Sequence, residues 1–108
     1  MKDVLVALAV TIAVETPLVV AFYPREKLRM AAVALVSNVA SNLAMNTLLF
    51  RSVPSYSSYL LLGEIGAVLC EATVYVLSSR EHDIGRALAA SAIANAASFG
   101  AGLALALA

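Results

Sequence analysis

Residues 4–29 read VLVALAVTIAVETPLVVAFYPREKLR: an apolar run over 4–23, broken at Pro24 and followed by Arg25, Glu26, Lys27 and Arg29. A run of about 20 residues is what a helix needs to cross the hydrocarbon core of a bilayer. The run holds one ionisable side chain, Glu15, and ends at Tyr23-Pro24 rather than at a small-residue cleavage site. It therefore reads as a retained helix and not as a signal peptide. The same pattern recurs over 30–50, 59–79 and 87–108, with breaks at Pro54 and at the charged stretch Arg80, Glu81, His82, Asp83 and Arg86, where Gly85 suggests a turn. The expectation is an all-α, polytopic membrane protein whose four transmembrane helices form one domain over 1–108.

Composition agrees with that solvent. Hydrophobic residues make up 62% of the 108 and charged ones only 13%, far from the balance of soluble domains. A net charge of zero gives no basic footprint for nucleic acid, and one cysteine, Cys70, excludes a disulfide scaffold or a thiolate metal cage. Cys70 itself reads as a buried small hydrophobe and His82 as a solvated loop residue. Arg25, Lys27, Arg29, Arg80 and Arg86 fall in the first and third connections, against Lys2 and Arg51 on the other side. By the positive-inside rule both termini face outward from a cell membrane. Tyr23 then suits the inner headgroup level, and Tyr56 with Tyr59 the outer one.

The two halves resemble each other. Glu15 and Glu71 are 56 residues apart, Arg25-Glu26 and Arg80-Glu81 are 55 apart, and Asn38 with Ser41 matches Asn95 with Ser98 at 57. Two helices per half would give both halves the same topology, a tandem repeat related by a pseudo-two-fold along the membrane normal.

Three carboxyl groups lie inside the expected spans, Glu15, Glu64 and Glu71, with no Lys or Arg there to pair with them. An ionisable group in a membrane helix faces the bundle interior or a cavity and serves an ion, a proton or a substrate. Counting inward from outer termini puts Glu15, Asn38, Glu71 and Asn95 at levels within about 3 Å of one another, from a rise of 1.5 Å per residue. Asn42, Glu64 and Asn46 continue outward and Tyr75 inward, each on a stripe of helical period. Pro17 frees the Ala13 carbonyl close to Glu15 in sequence. Carboxylate and amide oxygens suit hard cations such as Ca²⁺ or Mg²⁺, and protons would compete for the same carboxyls. Ser91, Ser98 and Gly102 read as helix packing.

The order Glu15-Thr16-Pro17, Ser37-Asn38 with Ser41-Asn42, Glu64 with Glu71 and Tyr75, and Asn95 with Ser98 resembles small prokaryotic four-helix membrane proteins that have no assigned function. That resemblance implies a fold and a polar constellation, and no activity. The residues themselves suggest a membrane transporter or channel subunit binding a proton or hard metal ion, with Glu15, Asn38, Asn42, Glu64, Glu71, Tyr75 and Asn95 along the path. The metal site would be Glu15, Glu71, Asn38 and Asn95. Four packed helices seldom leave a lumen, so a homo-oligomer or a partner membrane subunit is expected. The alternative is a structural or partner-binding subunit whose polar stripes lock the bundle. An intramembrane enzyme ranks third, because no nucleophile–base pair is present.

Overall fold

A computed structural model of the chain describes residues 2–44 and 56–107, all of them in helices or in the two connections between them. Asn46, Arg51 and Pro54 lie outside the described residues, and so do the side chains of Lys2, Tyr56 and Tyr59. Four helices follow one another: α1 (Lys2–Phe22), α2 (Lys27–Ala44), α3 (Tyr56–Ser78) and α4 (Ile84–Leu107). Three of them, over Leu5–Phe22, Leu61–Ser78 and Ile84–Leu105, are long and apolar enough to cross a membrane. The described part of α2 is shorter and carries Lys27 and Arg29 in its first turn.

Short connections set the arrangement. Residues 23–26 join α1 to α2 and residues 79–83 join α3 to α4, too few for anything but antiparallel neighbours. The helices pack as a ring, with α1 against α2 and α4, and α3 against the same two. Helix α4 begins earlier than the glycine suggested. Asp83 accepts the backbone N–H of Arg86 on Oδ1 at 3.0 Å and so caps the helix, which puts Gly85 inside its first turn. The reversal instead falls on His82, whose φ of 50° is left-handed. Its Nδ1 lies 2.7 Å from the Val76 carbonyl and so must donate, which caps the end of α3.

Burial is inverted relative to a water-soluble bundle. Leu61, Leu77 and Leu105 are exposed on the outside, whereas Glu15, Asn38, Glu71, Ser91 and Asn95 are buried. A scatter of large apolar side chains outside and polar groups inside is costly in water and suits hydrocarbon. The helices approach through small residues, Ala34, Ala72, Ala87, Ala90 and Ala94, which let their backbones come close. Val19, Tyr23, Met30 and Tyr75 join four of these alanines, all but Ala72, in a plug at the end where the described connections lie. Above the plug lies a polar layer.

Candidate functional site

Helix geometry builds the polar layer. Glu15 sits one turn before Val19 on the buried face of α1, Asn38 one turn after Ala34 on α2, Glu71 one turn before Tyr75 on α3, and Asn95 one turn after Ser91 on α4. The 3.6-residue period thus carries each polar side chain on the same inward face as a member of the plug or its neighbour. Glu15, Asn38 and Glu71 are each only 1% exposed, and Asn95 is 7% exposed.

The four side chains meet. Asn95 donates Nδ2 to Glu71 Oε2 at 2.9 Å and to the Ser91 carbonyl at 2.8 Å, so both amide hydrogens are used. Asn38 donates Nδ2 to the Ala34 carbonyl at 2.8 Å, the same bond one turn back on its own helix, and its side chain also interacts with Glu15. Between α1 and α4 the contact closes through Ser98, whose hydroxyl lies 2.5 Å from Glu15 Oε2 and 3.1 Å from the Asn95 carbonyl. At the matching position on α2, Ser41 bonds only the Asn38 carbonyl among the contacts described, at 3.3 Å. Ser91 ties the remaining pair of helices together by donating to the Val68 carbonyl at 2.8 Å.

Several buried oxygens in this layer and below it lack a hydrogen-bond partner: Glu15 Oε1, Glu71 Oε1, Thr16 Oγ1 and the hydroxyls of Tyr75 and Tyr23. Tyr75 lies one turn from Glu71 on the same face of α3, yet its hydroxyl and Glu71 Oε1 complete no hydrogen bond with each other. Glu64 is half-buried, two turns from Glu71, and lines a smaller cavity between α3 and α4 with Asn95. Asn42, on α2, donates to the Asn38 carbonyl at 3.2 Å. Pro17 and Ala13 are both exposed, so the carbonyl the proline frees lies toward the outer face of α1 and away from the carboxyl cluster. Cys70, expected in the interior, is exposed because it directs away from Glu71.

The donor set bears on what the layer can hold. Among the described residues no three His, Cys, Asp or Glu side chains form a group able to hold a metal ion. Ca²⁺ takes six to eight oxygens, but Asn95 turns its N–H₂ toward Glu71 and Asn38 turns its own toward a carbonyl. Two carboxyls with nitrogen-facing amides present fewer oxygens than the shell of a hard cation takes.

Charge is concentrated at the connection end. Glu26 accepts the Ser79 hydroxyl at 2.6 Å and the Arg80 N–H at 2.9 Å, and these two donors hold its carboxyl below the ordinary carboxylate range. Arg29 donates to the Ser78 carbonyl at 3.1 Å, at the end of α3. Arg86 stacks 5.8 Å from the centre of the Tyr23 ring and also pairs with Glu81. Tyr23, expected as a headgroup-level anchor, is only 2% exposed, because it packs within the plug beneath Arg86. Sequence reasoning missed this clasp and the role of Ser98. The Asn95–Ser98 spacing was visible, but no local signal marks a contact to a residue 83 positions away. Comparison of the chain with protein-family models, with curated proteins and with solved structures finds no match.

Proposed function

We propose that the protein is a proton-binding membrane subunit, part of a carrier or channel, in which Glu15 and Glu71 hold protons in the middle of the bundle. One observation carries the reading. The Ser98 hydroxyl has a single hydrogen but lies within bonding distance of two acceptors, Glu15 Oε2 and the Asn95 carbonyl. Both contacts are satisfied together when Ser98 donates to the carbonyl and a protonated Glu15 donates to Ser98. Two buried carboxyls beside each other, with no basic side chain on the inner faces of the described helices, agree with neutral groups, since an isolated charge there is strongly disfavoured.

In this reading all four helices cross the bilayer, both termini face outward, and the basic end around Arg29, Arg80 and Arg86 faces the cytoplasm. The halves are a tandem repeat. Paired contacts support that: Asn38 and Asn95 each bond the carbonyl four residues back, Ser41 and Ser98 each bond the carbonyl three back, and Arg29 and Arg86 each reach across to the other half. Tyr75 and Tyr23 stand in the plug between the carboxyls and the basic end, where proton passage would require their hydroxyls. Transport would proceed in a homo-oligomer or with a partner subunit.

The test is difference infrared spectroscopy of the purified protein in liposomes during a pH titration. Two protonated-carboxyl bands that vanish singly in Glu15→Gln and Glu71→Gln, with proton flux lost in both, are expected. Carboxylate bands at neutral pH with flux unaltered would reject the reading. A second reading, a structural subunit, is favoured by the bonds that tie helix to helix at Ser91 and Glu26. It predicts failed assembly in the same variants and no flux.

A further inference from the structure

The first connection brings Arg25, Glu26, Lys27 and Arg29, the third brings Arg80, Glu81 and Asp83, and the clasp at Glu26 holds the two side by side. Each acid there is already engaged. Glu26 takes the Ser79 hydroxyl and the Arg80 N–H, Glu81 pairs with Arg86, and Asp83 caps α4. The cations are not matched in the same way. Arg29 reaches the Ser78 carbonyl, but among the described residues the side chains of Arg25, Lys27 and Arg80 donate to no partner, and all four are exposed. Four cations thus surround one carboxylate, Glu26, whose two oxygens are taken.

The apolar surface runs up to these cations and defines the occupant. Leu28, between Lys27 and Arg29, is 89% exposed, and Leu77 and Ile84, which flank the other connection, are 72% and 66% exposed. In a bundle that crosses a bilayer such side chains lie against acyl chains, so the cations beside them stand at the level of the lipid phosphates. A cluster of four Lys and Arg next to membrane spans attracts anionic headgroups, by about fivefold in affinity for each side chain near the surface. A soluble anion would answer the charge and leave Leu28 uncovered, and an uncharged lipid would cover Leu28 and leave the charge unanswered. We infer that the connection end of the bundle binds an anionic phospholipid, with Arg25, Lys27, Arg29 and Arg80 around its headgroup and Leu28 against its acyl chain. This rests on the membrane-spanning part of the proposed function and not on its protons.

The experiment is native mass spectrometry of the full chain, released from micelles that hold equal amounts of phosphatidylglycerol and phosphatidylcholine with the same acyl chains. Phosphatidylglycerol should be retained at least about fivefold over phosphatidylcholine, the scale of one basic side chain at an anionic surface. The combined variant Arg25→Gln, Lys27→Gln and Arg80→Gln should abolish the preference. Its three side chains are exposed and unbonded, so it keeps its fold, as unchanged thermal unfolding would record. Arg86→Gln removes a cation already paired with Glu81 and should keep most of the preference. In the unaltered chain, raising ammonium acetate from about 0.1 M to about 1 M shortens the screening length from about 10 Å to about 3 Å and should weaken the preference with no substitution at all. Equal retention of the two lipids, a preference that salt does not touch, or one undiminished in the folded combined variant overturns the inference. So does full displacement of phosphatidylglycerol by inorganic phosphate, set against chloride at the same ionic strength, which assigns the patch to a soluble anion. Charged carboxylate bands in the infrared titration, with the lipid preference intact, reject the proton reading alone.

Discussion

Ser98 and Ser41 occupy matching places in the sequence, yet the structure predicts very different consequences for replacing each with alanine. Both hydroxyls lie near the carbonyl three residues back on their own helix, at 3.1 Å for Ser98 and 3.3 Å for Ser41. Only Ser98 also reaches across to a buried carboxyl, the Oε2 of Glu15, whose other oxygen has no partner. Removing that contact takes away the hydroxyl partner of a group that cannot turn to water. Desolvated polar groups left unmet cost about 1–3 kcal/mol, and polar contacts between membrane helices reach about 1.7 kcal/mol at most. Ser98→Ala should therefore destabilise by about 1–2 kcal/mol, and Ser41→Ala by less than about 0.5 kcal/mol, as for a substitution that unmakes only a local bond. Reversible unfolding in mixed micelles measures both. Because each variant loses the same bond to its own helix, the difference between them reports the Glu15 contact. Combining each variant with Glu15→Leu, which has no hydrogen-bonding group to offer Ser98, in a double-mutant cycle should give coupling to Ser98 and none to Ser41. Equal losses for the two serines, or no coupling between Ser98 and Glu15, would refute both the proton count and the asymmetry between the two helix pairs.

Glu15→Gln and Glu71→Gln should each change stability by less than about 1.5 kcal/mol, because an amide replaces a neutral carboxyl at nearly constant volume; a loss of several kcal/mol in micelle unfolding would mark a charged, cation-paired group. Glu26 should make the protein acid-sensitive. Its folded value is depressed by Ser79 and Arg80, so its contribution is fully present above the ordinary 4.5 and is lost as pH falls through the lower folded value. Thermal unfolding below pH 4.5 should show that loss in the native chain and a flatter profile in Glu26→Gln; identical profiles would discount the clasp. Asp83→Ala removes the cap of α4 and should cost about 1 kcal/mol, while Asp83→Asn should retain most of it.

That the first helix is long and apolar enough to cross a membrane was legible in residues 4–23 alone, because run length and polarity are read directly from the sequence. So was the common depth of Glu15, Asn38, Glu71 and Asn95, since a helix converts residue number into height. The start of α4 was misjudged, because Gly85 looked like a turn while Asp83, which stops the frayed end by capping, determines the boundary. The burial of Tyr23 was not legible either: an aromatic at the end of an apolar run resembles an exposed anchor, whereas here it packs with Val19, Met30 and Tyr75 beneath Arg86 from another helix.

What the sequence determined by itself was therefore one-dimensional: which segments are helices, how high each polar group lies, and which end of the bundle is basic. Periodicity and helix rise contain all of that. Which polar group meets which partner was decided only by tertiary packing. Whether a carboxyl is met by a serine of the facing helix, as Glu15 is by Ser98, or by an asparagine, as Glu71 is by Asn95, depends on how closely two helix pairs approach and on where a side chain turns. The local sequence is alike at both places, Asn38 with Ser41 and Asn95 with Ser98, so no local signal distinguishes them. The difference arises from the faces that α2 and α4 present to their neighbours, which is a property of the assembled ring.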